Sequence, residues 1–152
     1  MSAVTVRTKG FKELDRALAQ LPRSTGKTAM SRALQEAGEP LGRKMRSGAP
    51  DQAGTLKESI DSGRKLSRRQ AAVDRQILGS SRTMAKAYVG AGVLPHAHMQ
   101  EFGTRHHGPQ AFARPAWNAD RFALLERIKV EAWLQIKKSL ARAERRAAAI
   151  RR

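Results

Sequence analysis

The sequence predicts an α+β domain in which a small antiparallel sheet packs against two N-terminal helices and a long C-terminal helix. Two observations support this prediction. Apolar residues recur every three or four positions towards both ends of the chain, which is the period of a helix with one buried face. Two short strand-like segments lie between these helical regions, and strands flanked by runs of helix are typical of an α+β domain.

The N-terminal elements are predicted to be a short strand and two helices. Residues 4–6 alternate apolar and polar side chains, which predicts the strand. The next helix carries one apolar face and ends at Pro22; this face comprises Phe11, Leu14, Leu18 and Leu21. A longer helix begins near Ser24. Because Pro40 lies inside it and has no backbone N–H, we expect a kink or a split there.

The segment after the second helix is polar and rich in small residues. Residues 50–54 predict a loop. Thr55 and Glu58 have the spacing of a capping box, which favours a short helical turn, although an ordinary loop is an equal alternative. Residues 61–69 are polar and basic, and they predict a mobile loop.

Two strands are predicted in the middle of the chain. Residues 71–78 form the first candidate and residues 85–89 form the second. The intervening residues 80–83 have the composition of a turn, so we expect the two strands to form a hairpin.

A short helix and a long helix are predicted to follow. Residues 96–102 form the short helix, which Gly103 ends as a C-terminal cap. Residues 104–114 predict an irregular segment, and Pro115 suits the first turn of the long helix. The long helix has a sustained apolar stripe, namely Leu125, Ile128, Ala132, Ile136 and Leu140.

The charge of the chain is its most unusual property. Thirty Lys and Arg residues against thirteen Asp and Glu residues give a net charge of +17, which attracts polyanions. The stripe of the last helix fades after residue 140, so we predict a domain over residues 1–140 and a basic extension of the last helix over 141–152. The candidate polyanion or partner contacts are Arg64, Lys65, Arg68, Arg69, Arg142, Arg145 and Arg146.

These basic residues can be interpreted in two ways. They could bind phosphates, or they could be a solvated loop and a solvated helix end. No aromatic residues are interleaved with them, so any contact with nucleic acid is expected to be independent of base sequence. No apolar stretch is long enough to cross a bilayer, and no signal peptide is expected.

Two patterns resemble chemical sites but do not meet their requirements. Gly26, Lys27 and Thr28 resemble the end of a phosphate-binding loop, but the required upstream glycine is absent and a helix, not a strand, precedes them. The four histidines lie close together around Glu101 without a metal-binding spacing; they are His96, His98, His106 and His107. The chain has no cysteine, so thiolate ligands are impossible. We expect no catalytic residue, no metal and no cofactor.

Four motifs resemble those of one phage protein family. The first is His96-Ala-His98-Met-Gln-Glu101-Phe102-Gly103-Thr104, which is similar to the "YA..vEfGT" signature of phage head–tail joining proteins. This is the tail-completion family of long-tailed phages (the HK-ninety-seven gene-ten type). His96 stands where the family has an aromatic residue.

The other three motifs occur in the order that the family shows. Gln110-Ala-Phe112-Ala-Arg114-Pro115-Ala116 resembles the family's "PF..PA" segment, with Ala111 in place of its first proline. The upstream "aP.dtG.L..SI" motif is matched by Pro50, Gly54, Leu56, Ser59 and Ile60. Gly10-Phe11-Lys-Glu-Leu14 resembles the "G...L" start.

The resemblance implies a structural virion protein rather than an enzyme. It implies a ring, most simply a hexamer, that ends the tail tube and joins it to the head connector or stopper, with the genome passing through its lumen. The partners would be further copies of the chain, the tail tube protein and the connector or stopper. The protein would be assembled in the host cytoplasm and reside in the virion. The alternatives are a sequence-independent nucleic-acid-binding protein and, with only the histidines to support it, a small hydrolase or nuclease.

The family-motif residues are interpreted as structural parts, with direct partner contact as the alternative. Gly103 can end a helix at positive φ, and Glu101 is expected to cap a backbone group or pair with an arginine. Phe102 is expected to be an aromatic anchor. Residues 61–82 are a candidate for a segment that becomes ordered on assembly.

Overall fold

The computed structural model describes residues 11–50, 55–79, 84–94 and 96–150, and these ranges contain six helices and one two-stranded sheet. The predicted α+β class is confirmed. The elements in chain order are α1 (Phe11–Ala19), α2 (Arg23–Gly48), α3 (Thr55–Ser59), β1 (Asp61–Gly63), α4 (Arg68–Leu78), β2 (Tyr88–Gly90), α5 (Ala97–Phe102) and α6 (Ala113–Ile150). None of the described helices combines the length and apolar character needed to cross a membrane.

The pairing of α2 with α6 organises the core. Small residues on α2 let the two helices approach closely, and two apolar clusters form along their length. One cluster contains Leu41, Met45, Ala49, Leu56, Ile60, Phe112 and Ala116. The other lies under α1 and contains Leu14, Leu21, Ala33, Ala132 and Ile136.

A buried carboxylate links α2 and α6 between these clusters. Asp120 of α6 has no exposed surface, and its Oδ1 accepts a hydrogen bond from Lys44 Nζ of α2 at 2.5 Å. Arg127 pairs with the same carboxylate and also donates from Nε to the Ala37 carbonyl oxygen of α2 at 3.1 Å. The pKa of Asp120 is lowered because the hydrogen bond from Arg127 and the interactions with Lys44 outweigh the effect of burial. The charged form is therefore the one that this structure stabilises.

The sheet packs on a different face of α2 from the one that contacts α6. β1 and β2 are antiparallel, with Ser62 opposite Val89. Ser62 Oγ donates to the Gln35 carbonyl oxygen of α2 at 2.9 Å. A Cβ at Gly38 would lie 2.8 Å from Val89 Cγ2, so only glycine allows this approach of sheet to helix. The result is three layers, in which α2 lies between the sheet and α6.

Several predicted elements are confirmed. The short helical turn predicted at Thr55 forms as α3, the short helix forms as α5, and Pro115 lies in the first turn of α6. Gly103 ends α5 with a φ of 81°. Of the kink or split predicted at Pro40, the split does not occur, because α2 is continuous through this residue. The strand predicted over residues 4–6 lies outside the described residues, as does the turn at 80–83.

The predicted hairpin is wrong. Residues 71–78, expected to be a strand, belong to α4. This helix begins with a capping box in which Ser67 Oγ accepts from the Gln70 backbone N–H and the Gln70 side chain accepts from the Ser67 N–H. A capped start satisfies backbone groups that a strand would have to pair with a neighbour, and it outweighs the strand preference of Val73 and Ile77.

The strand that pairs with β2 comes from the segment predicted to be a loop. Residues 61–63 form β1, which corrects the expectation of a mobile loop over residues 61–69. Its polar sequence adopts a strand because β2 and Gln35 of α2 supply its hydrogen-bond partners. The second predicted strand is approximately correct, since Tyr88–Gly90 overlaps the predicted residues 85–89.

Candidate functional site

Glu101 lies at the centre of the joint between α5 and α6. Its carboxylate is buried and accepts hydrogen bonds from the backbone N–H groups of Phe112 and Ala113, both at 2.8 Å, and of Arg114 at 3.0 Å. These are N–H groups at the start of α6 that have no partner inside the helix. The negative charge also complements the positive end of the helix dipole. The expectation that Glu101 caps a backbone group is therefore confirmed.

The charged state of Glu101 is stabilised by its surroundings. Burial alone would raise the pKa of the carboxyl group. The backbone hydrogen bonds from Ala113, Arg114 and Phe112, with the Arg114 side chain, outweigh burial and hold the pKa below its usual range. The expected arginine pairing is also confirmed, since Arg114 Nε donates to Glu101 Oε1 at 3.0 Å.

Phe102 does not serve as a core anchor, contrary to expectation. Its side chain is 65% exposed, and the Arg114 guanidinium carbon lies 5.0 Å from its ring centroid. The reason is its position at the end of α5, where Glu101 faces the core and the next residue faces solvent. Phe112, by contrast, lies in the first apolar cluster and is only 4% exposed.

Gly103 and Thr104 shape the loop that leads to α6. A Cβ on Gly103 would lie 2.8 Å from the Pro109 nitrogen, so the chain folds back directly over this residue. The Thr104 N–H donates to the His107 carbonyl oxygen at 2.9 Å, and Thr104 Oγ1 accepts from the His106 and His107 N–H groups. All four histidines are exposed, and the described part of the chain has no group of three or more potential ligands close enough to hold a metal ion.

The upstream motif residues contribute to the first cluster. Leu56 and Ile60 are buried there, and Ser59 Oγ donates to the Leu56 carbonyl oxygen at 2.7 Å at the end of α3. Pro50 follows α2 and is partly buried, whereas Gly54 lies outside the described residues. Every motif residue in the described ranges thus lies in or beside the core or in the joint.

The predicted basic residues do not form two coherent clusters. Arg64 lines a cleft with Lys27, Arg75 and Lys86, which we call the basic cleft. Arg69 lines a different concavity, which among the described residues shares only Asp74 with the basic cleft. Lys65, Arg68 and Arg145 are exposed. Sequence reasoning missed the basic cleft because its four cations come from four separate segments.

A further concave surface lies at the far end of α6. Arg142 and Arg146 line it with Arg32 of α2. The predicted boundary between residues 1–140 and 141–152 falls inside the continuous helix α6, so these two arginines are carried on a regular helix.

Two exposed apolar surfaces are the most evident places for another protein to bind. The α4 groove has a volume of ≈ 470 Å³ and is lined by Leu66, Val73, Ile77, Leu78 and Tyr88, together with Arg69, Gln70 and Asp74. The α6 outer surface consists of Phe122 and Val130, which are 71% and 66% exposed. The spacing of four between Val73 and Ile77 is the sequence signal for the α4 groove, but the β-branched side chains of these residues also favour a strand.

The comparison with protein families now identifies the class of the chain. The family model described as "Bacteriophage HK97-gp10, putative tail-component" matches residues 12–103, which is more than half of the 152 residues. The protein is therefore a structural protein of bacteriophage tails. It belongs to the HK97-gp10-like family, as the four motifs indicated. No curated protein and no solved structure gives a significant match to the chain.

Proposed function

We propose that the protein forms a ring at the phage neck, where it ends the tail tube and joins it to the head connector or stopper, with DNA passing through the lumen. Membership of a family of phage tail components is the observation that carries this proposal. In this proposal the protein resides in the virion, is assembled in the host cytoplasm and has no catalytic role. Residues 141–152 would extend α6 as a basic segment.

The positions of the α4 groove and the α6 outer surface support a ring. Phe122 lies two residues from the buried Asp120 and Val130 two residues from the buried Ala132, so each points about 200° around the helix from a buried side chain. The α4 groove lies beside β2, on the sheet side of α2. Two different surfaces on different sides are what a heterologous contact requires, and such contacts form a ring when the rotation from one copy to the next closes.

One pair of opposite charges is available to this contact. Arg69 lines the α4 groove, whereas Glu126 lies between Phe122 and Val130 on the α6 outer surface. Glu126 is exposed, and its paired Lys129 lies on the same helix. We infer that the α6 outer surface of one copy enters the α4 groove of the next.

The way in which α4 is attached supports the proposal that this helix gains contacts when the ring assembles. α4 contains no buried residue. It is held through Gln70 Nε2, which donates to the Gly92 carbonyl oxygen at 2.5 Å, and through Asp74, which pairs with Lys86 at 2.7 Å. Within residues 61–82, we therefore propose that α4 gains its apolar partners in the ring.

Light scattering and electron microscopy of the purified protein, alone and with tail tube subunits, test this proposal. We expect closed rings, with a mass six times that of the 16.8 kDa chain for a hexamer. Ile77→Glu should abolish them, because it places a charge in the α4 groove. Gln76→Glu, with the same charge on the exposed neighbouring position, should leave them intact. A monomer under all conditions would contradict the proposal.

A further inference from the structure

The basic cleft lies between α2, the segment after β1, α4 and the segment before β2. It has a volume of ≈ 380 Å³ and carries cations from each of these four parts of the chain: Lys27, Arg64, Arg75 and Lys86. The hydroxyl-bearing residues Thr28 and Ser31 of α2 lie in the same lining.

The described lining of the cleft carries little negative charge. Asp74 is the one acidic residue among the described residues that line the cleft, and it is already paired with Lys86 at 2.7 Å. Arg64 makes no hydrogen bond or ion pair with any residue in the described ranges. Arg75 Nε donates to the Ala71 carbonyl oxygen, but its guanidinium has no carboxylate partner there. A concave site in which positive charges outnumber negative ones concentrates the field and favours an anionic ligand.

We propose that the basic cleft binds phosphate groups of a nucleic-acid backbone, without preference for base sequence. The described lining contains no aromatic residue on which a base could stack, and Met84 is its one large apolar side chain. Protein partners are usually held around an apolar centre, which this cleft does not offer. Arginine and lysine side chains with nearby hydroxyl groups are the usual partners of backbone phosphates.

This inference deepens the proposed function, because a ring around the genome would bring such clefts close to DNA. It can nevertheless be tested without a ring. In this proposal, DNA binding by the isolated chain depends mainly on the cleft, whereas ring formation depends on the α4 groove and the α6 outer surface. Loss of one does not require loss of the other.

The experiment measures binding of a short labelled DNA duplex by fluorescence anisotropy, with variants matched in charge. Arg64→Gln/Arg75→Gln removes two cations from the cleft, and Arg142→Gln/Arg146→Gln removes two from the far end of α6. Between about 50 and 200 mM salt, the cleft variant should bind roughly tenfold more weakly and show a salt slope smaller by about 2, while the control changes less than about threefold. Two duplexes of unrelated sequence should bind equally.

Each other outcome overturns the proposal. Equal losses in both double variants would show that net charge, and not the cleft, binds DNA. Displacement of the duplex by inorganic phosphate at matched ionic strength would make the cleft a site for small anions. Displacement by poly-glutamate of equal charge would make it a site for acidic chains. Circular dichroism checks that the variants fold, and Arg64→Gln alone, which removes no contact within the described residues, remains informative if the double variant does not.

Discussion

Three hydrogen bonds join Glu101 and Arg114 across the turn between α5 and α6. The Arg114 backbone N–H and Nε both donate to Glu101 Oε1, and Arg114 Nη2 donates to the Glu101 carbonyl oxygen, each at 3.0 Å. One side chain thus fixes the end of one helix and the start of another. The joint that carries the family signature is held by a buried charge and not by apolar packing alone.

Replacing Glu101 tests the importance of this joint. Glu101→Gln should lower the free energy of unfolding by about 2 kcal/mol, because an NH2 group replaces one carboxylate oxygen and cannot accept hydrogen bonds from the N–H groups at the start of α6. Urea denaturation measures the loss. Glu126→Gln on the exposed side of α6 is the matched control and should change stability by less than about 0.5 kcal/mol. Equal effects of the two variants would argue against a special role for Glu101.

Acid should destabilise the fold through Glu101 and Asp120. Both carboxyl groups have folded-state pKa values below their usual range. A lowered pKa contributes stability that is present above the unfolded-state pKa of about 4 and is lost as the pH falls through the folded-state value. The free energy of unfolding should therefore decline as the pH falls below about 4. The free energy of unfolding of the Asp120→Asn variant should decline less steeply with falling pH than that of the native chain. Parallel pH curves for the two proteins would refute the role assigned to Asp120.

Gly103 should tolerate no side chain. In the Gly103→Ala variant, alanine would have to adopt a φ of 81° with its Cβ 2.8 Å from the Pro109 nitrogen. We therefore expect the free energy of unfolding to fall by at least about 2 kcal/mol. Gly108 lies in the same loop, and a Cβ added there would meet no atom within 4 Å. Gly108→Ala should therefore have little effect. Thermal denaturation compares the two, and a Gly103→Ala protein as stable as the Gly108→Ala protein would contradict the described loop.

Two glycines of α2 should respond in opposite directions. Gly26→Ala places a methyl group at an ordinary 3.6 Å from Leu18 and should stabilise the helix by about 0.5–1 kcal/mol. Gly38→Ala would bring its Cβ to 2.8 Å from Val89, a stiff β-branched residue, and should cost about 1–2 kcal/mol. Adding Val89→Ala should recover part of that loss relative to Val89→Ala alone. Additive effects in this double-mutant cycle would show that positions 38 and 89 do not interact, which would contradict the packing of the sheet on α2.

Cross-linking can test the direction of the contact between copies. The chain has no cysteine, so Ile77→Cys in one copy and Val130→Cys in another can be joined by a short bifunctional maleimide without background. We expect cross-linked dimers when the two variants are mixed and none with Ile77→Cys alone. Efficient cross-linking of Ile77→Cys to itself would indicate a symmetric contact between α4 grooves, which does not build a ring.

The elements that the sequence predicted are those with a local signal. The apolar period of α2 and α6 and the positive-φ glycine after α5 are properties of neighbouring residues. β1 has no such signal, because Asp61, Ser62 and Gly63 become a strand only through partners distant in sequence. α4 does carry a local signal in Ser67 and Gln70, and the error is to give Val73 and Ile77 more weight.

Only part of the candidate site could be predicted from the sequence. The role of Glu101 could be inferred because a family motif drew attention to it, and its chemistry left few alternatives. The basic cleft could not be inferred, since Arg64 meets Lys27 and Arg75 only after β1 is placed on α2. The exposure of Phe102 could not be predicted from the sequence either, because it depends on which side of the short helix α5 faces the core.

The absence of buried residues in α4 has a consequence for how such proteins can diversify. Substitutions along this helix leave both apolar clusters untouched, so its exposed side chains can change without loss of the α2–α6 framework. Chains with the same three layers could therefore present different α4 surfaces to different neighbours. Specificity for a partner could then evolve separately from the ability to fold.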